Sequence, residues 1–145
     1  MSGDAGRRPD DEELYRRRIL EHFRSPHNWT PPDLPLARVD LQFHELNPLC
    51  GDDLRVALLL GSDGAVHDLR FSGHGCAISK AAASMLSDHV PGRTPTEILA
   101  LDPAFVLGLL GVPIPPLRMR CALLSLKVLK SAAAGRRVDW ERSPS

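Results

Sequence analysis

The sequence predicts an α+β domain: a three-stranded antiparallel sheet with helices packed on one side of it. Two observations predict it. Over residues 39–44 apolar and polar side chains alternate with a period of two, and two further strand-like runs follow to residue 71 around turn chemistry. From Ile78 onward the apolar period lengthens to that of a helix, so strands come first and helices after. The length of 145 residues, 43% of them hydrophobic, suits one domain with a real core and leaves little room for a second. That domain is expected over residues 11–135, between a polar tail of residues 1–10 and a C-terminal tail of residues 136–145.

The elements follow in order. Residues 11–24 read as a helix with Tyr15, Ile19 and Phe23 on one face, ending near Ser25-Pro26. The arginines 16–18 stand among Glu12, Glu13 and Glu21, which reads as a solvated helix face. Pro26, Pro31, Pro32 and Pro35 then mark an irregular connection. Val39, Leu41 and Phe43 alternate with Asp40, Gln42 and His44 as the first strand. "DLRVALLL" (53–60), the turn "GSDG" (61–64) and "AVHDLRF" (65–71) complete a meander. Ile78, Ala82, Met85, Leu86 and His89 recur at helical spacing. "TPTE" (94–97) is a capping box with proline at the first helical position, and "DPAFVLGLL" (102–110) begins a helix in the same manner. Residues 117–134 form a last helix, with Ala122, Leu126, Leu129 and Ala133 on one face and Leu124 and Val128 widening it.

Eighteen basic residues balance 18 acidic ones, so no excess of positive charge points to nucleic acid or an anionic membrane. No apolar run approaches the ~20 residues that cross a bilayer, and the polar start carries no signal-peptide core. Three scattered cysteines make no disulfide framework. These features lead to the expectation of a cytoplasmic protein.

Each cysteine falls at the end of an element. Cys50 lies in the loop between the first two strands, Cys76 where a strand gives way to a helix, and Cys121 at or near the start of the final helix. A helix N-terminus presents free N–H groups and a partial positive charge, both of which favour a thiolate. Gly51, Gly73 and Gly75 flank two of the cysteines, and Asp52 follows Cys50 by two positions. Three thiolates and one carboxylate make a tetrahedral zinc set; the same thiolates would suit an iron–sulfur cluster.

The segments "LYRRRILEHFRSPHNW", "NPLCGDDLRV", "GHGCAISKAAASML" and "IPPLRMRCALL" together resemble the U-type iron–sulfur assembly family, comprising the IscU scaffolds, the N-terminal domain of NifU, and SufU. The resemblance runs from about Leu14 to Leu129. It implies a SufE/NifU-like architecture, and Cys50, Asp52, Cys76 and Cys121 as ligands of zinc, with iron or a [2Fe–2S] cluster on the cysteines as the alternative. It implies a pyridoxal-phosphate cysteine desulfurase of the SufS or IscS type as sulfur donor, and scaffold or apo-protein recipients. "GCAIS" and Arg118, three residues before Cys121, resemble SufU; Arg118 is a candidate to pair with Asp52 or a thiolate during sulfur transfer. Scaffolds of the IscU type have a histidine immediately before the third cysteine, where this chain has Arg120. Yet only 44 residues separate Cys76 from Cys121, which resembles the scaffolds rather than the longer SufU spacing. "IPPLR" (Ile114 to Arg118) likewise resembles the segment through which IscU engages its chaperone. The expected function is a zinc-dependent persulfide acceptor with Cys50 as carrier; the alternatives are a cluster scaffold and a zinc-stabilised interaction module without transfer activity. Among the histidines only His74, two residues before Cys76, is a further site candidate.

Overall fold

The computed structural model describes residues 9–30, 38–47 and 51–138. Helix α1 (Pro9–Arg24) is followed by strands β1 (Leu41–Asn47), β2 (Asp52–Leu60) and β3 (Val66–His74), then helices α2 (Ala77–Ser87), α3 (Pro95–Leu99), α4 (Pro103–Leu110) and α5 (Met119–Ala134). A single 3-10 turn, Pro116–Arg118, leads into α5. The strands form one antiparallel sheet in the order β1-β2-β3. The far edge of β3 is covered in part by the chain after α1: Phe71 N–H donates to the Asn28 carbonyl and Thr30 N–H to the Phe71 carbonyl, at 2.8 and 2.9 Å. The meander and the α+β order expected from the sequence are both present.

One face of the sheet is dry. Leu54, Val56 and Leu58 of β2 and Leu69 and Phe71 of β3 are buried on it, while Arg55 and His67 face out. Helix α5 lies against β1 and β2, and α2 packs on β3 and α5. The apolar stripe foreseen for α5 understates its burial. Ala122, Leu124, Leu126, Val128 and Leu129 are buried, and so are Ser125 and Ser131, because α2, α3 and α4 close over its remaining sides. Each fully buried leucine stabilises the fold by roughly 1.5–3 kcal/mol.

Local chemistry sets the helix ends. Thr94 and Glu97 form the capping box reciprocally, and Asp102 accepts the Phe105 N–H at 3.1 Å. The last helix begins at Met119 rather than residue 117, since Pro115 and Pro116 favour the tighter turn that precedes it. Two strands outrun their apolar patterns. Strand β1 continues past His44 with Glu45 pointing inward and Leu46 outward. Strand β3 continues to His74 because Gly73, at φ +124°, brings its Cα against the Asp53 carbonyl, where a Cβ would collide. His89 lies beyond the end of α2 and is exposed, edge-on to Phe105. Among the described residues no helix is long and apolar enough to cross a membrane.

Candidate metal centre

The topology delivers one end of β2, the start of α2 and the start of α5 to the same place. Asp52 is the first residue of β2, Cys76 is the N-cap of α2, and Cys121 is the third residue of α5. Their ligand atoms, one from each side chain, lie within 4.8 Å of one another. Asp52 and Cys121 are almost fully buried, at 3% and 1% exposure, and Cys76 is half-buried. Buried acidic oxygen and two sulfurs at this spacing fit a single zinc ion, which takes thiolate and carboxylate ligands in a compact tetrahedron.

The cluster is braced from behind. The Cys76 backbone N–H donates to Asp52 Oδ1 at 3.1 Å, and Cys76 Sγ lies 3.8 Å from Asp52 Oδ2. Ser79, itself buried, donates its hydroxyl to the Cys76 carbonyl at 3.1 Å. Gly75 makes this bracing possible, since a Cβ there would run into Ser79 Oγ. The open N–H end of α2 and the Asp52 carboxylate are electrostatically matched. A lone serine inside a helical pattern carries no signal of such a role, so Ser79 was not legible; Gly75 was.

Of the residues singled out in the sequence, Asp52, Cys76 and Cys121 come together. Cys50 lies outside the described residues, two positions before Asp52 in the chain. Gly51 between them holds φ +72°, a left-handed conformation that glycine accepts without strain. Arg118 closes the 3-10 turn and is exposed one helical turn before Cys121; among the described residues its guanidinium makes no hydrogen bond to Asp52. His74 is exposed and stands apart from the cluster. Within Ile114 to Arg118, Ile114 packs against the core while Leu117 is 93% exposed.

A compact α+β domain with a carboxylate and two cysteines converging at three element ends defines a class, and comparison with known proteins gives it a name. The chain matches the NifU-like N terminal domain over residues 14–137, and it belongs to this family of iron–sulfur cluster assembly proteins. It is similar to the zinc-dependent sulfurtransferase SufU of Bacillus subtilis (strain 168), with 32% identity over 138 residues, 83% of this chain and 90% of that one. It is also similar to the iron–sulfur cluster assembly scaffold protein IscU of Streptococcus pyogenes serotype M1, with 32% identity over 136 residues and 82% of each chain covered. The crystal structure of a nitrogen-fixing NifU-like protein (N-terminal) from Brucella abortus shares the fold, with a TM-score of 0.65 over 85% of this chain and 94% of that chain at 23% identity.

Proposed function

We propose that the chain is a zinc-dependent sulfur acceptor in iron–sulfur cluster assembly, taking sulfur as a persulfide from a pyridoxal-phosphate cysteine desulfurase in the cytoplasm. The observation that carries this reading is the convergence of Asp52, Cys76 and Cys121 within 4.8 Å. Cys50, adjacent in the chain, completes three thiolates and one carboxylate, and residues 11–135 form the single working domain. Zinc, when bound, lends its sulfur ligands thiolate character at neutral pH.

The side chains divide the work. Cys76 is held by the backbone of α2 and Cys121 is buried in the first turn of α5, so neither can travel to another protein. Cys50, between two strands and next to Gly51, is the carrier. Its thiolate attacks the outer sulfur of the donor's persulfide. The donor's S–S bond breaks, a new S–S bond forms on Cys50, and the donor cysteine leaves as a thiolate, so the transfer needs no oxidant. Asp52 stays anchored through the Cys76 N–H while Cys50 is away. Arg118, exposed beside Cys121, is free to turn toward Asp52 or a thiolate.

A second reading is a scaffold that assembles a [2Fe–2S] cluster on the same cysteines before handing it to recipient proteins. The similarity to IscU and the exposed Leu117, in the segment that resembles a chaperone-binding stretch, favour it. Arg120 in place of a histidine removes one candidate ligand and tips the balance to the sulfur acceptor. Metal content and visible absorption of protein purified without oxygen separate the two. Colourless protein with one zinc per chain is the expected result; brown protein with iron and sulfide would make it the scaffold.

A further inference from the structure

The outer face of the sheet, opposite Asp52 and Cys121, carries two histidines and a carboxylate at neighbouring positions. Asp53 points out where its neighbours Asp52 and Leu54 point in. On one side, His44 of β1 touches it, Nε2 against Oδ1. On the other side, His74 of β3 is its direct partner in the β2–β3 register. Directly opposed residues of antiparallel strands have Cβ atoms about 5 Å apart, a span that an imidazole and a carboxylate can bridge through one ion. All three groups are open to solvent: His44 and Asp53 side chains are 48% and 36% exposed, and His74 is exposed. Arg55, opposite His44 in the register, is exposed, so its charge is carried on a long stem in water.

We propose that His44, Asp53 and His74 bind a second zinc ion on this outer face, independent of the cysteine cluster. Two imidazoles and a carboxylate are ordinary zinc donors, and three protein ligands leave a fourth position to water. With no thiolate and no burial, this ion binds more weakly and exchanges faster than one held by cysteines.

Equilibrium dialysis of the full chain against zinc(II) tests it. His44→Gln and His74→Gln should each weaken one equivalent of bound zinc at least tenfold, and Asp53→Asn should do the same. His67→Gln, on the same strand as His74 but at its far end, should bind as the parent does. Because the readout is a difference between parent and variant, it holds whatever number of ions the cysteines take. Equal zinc binding by the parent and by a His44→Gln/His74→Gln double variant would overturn the proposal, as would loss of an equivalent in His67→Gln.

Discussion

Asp52 offers one carboxylate to two roles. Without metal, its Oδ1 takes the Cys76 N–H and so satisfies an open donor at the start of α2. In the proposed zinc-bound state, an oxygen of the same group would complete the ligand set. Asp52→Ala should therefore weaken zinc binding at least about tenfold in a competition titration. It should also cost the metal-free protein about 1 kcal/mol in urea denaturation, the usual loss when a helix start is left uncapped. Asp52→Asn keeps an acceptor for the N–H and should lose only the zinc term. Unchanged zinc affinity in Asp52→Ala would take Asp52 out of the ligand set. The place of Asp52 beside Cys76 was legible from sequence because element ends leave a pattern: glycine beside cysteine, and acid two positions on. Ser79 left none, since its contribution is a single hydrogen bond to a backbone carbonyl.

Between elements, the buried polar groups decide more than their number suggests. Glu45 occupies the inward phase of β1 after Leu41 and Phe43, and is 8% exposed. Lys127 of α5 meets it at 3.3 Å, and Arg137, beyond the helix, at 2.8 Å. Removing a buried partner leaves the other charge poorly compensated, so Glu45→Ala should destabilise the domain on the order of 3 kcal/mol. Arg137 is 64% exposed, and Arg137→Ala should cost about 1 kcal/mol or less. Equal losses from the two variants in urea denaturation would contradict this ranking. The same glutamate explains why the alternation read from the sequence stopped short: a carboxylate in an apolar phase looks like the end of a strand. Gly73 has that effect on β3, because glycine reads as a breaker until the close approach of two backbones is seen.

The contact between α1 and α2 carries a pH dependence. His22 Nδ1 lies 2.6 Å from the buried Ser84 Oγ, which also accepts the His27 N–H at 2.7 Å. Burial lowers the His22 pKa below its ordinary 6.5; His27 and Arg18 push the same way, and Asp88 and Glu21 oppose them. The unfolded chain therefore takes up this proton first as pH falls. Stability from this group is complete above about pH 6.5 and declines as pH drops from there through the lower folded-state value. Urea midpoints of the parent and of His22→Gln, measured from about pH 7.5 to 5, should diverge in slope below 6.5. Parallel curves would show that His22 titrates alike in both states.

At the scale of the whole molecule, one central helix organises both the core and the candidate site. Helix α5 is buried nearly all round, and its first turn carries Cys121 to the end of the sheet where Asp52 and Cys76 wait. The fold class could be read from the order of periods alone, since a meander followed by helices has few ways to bury one sheet face. The convergence of Cys76 and Cys121 could only be suspected, because it depends on how α5 crosses the sheet, and no local pattern encodes a crossing. The travelling role proposed above falls to Cys50, the cysteine whose position in the chain is outside both α2 and α5. Mass spectrometry after incubation with a cysteine desulfurase and cysteine tests that assignment most directly, by reading which residue gains one sulfur atom. The added sulfur should sit on Cys50, and Cys50→Ser should abolish the uptake. Sulfur on Cys121 with Cys50 unmodified would contradict it.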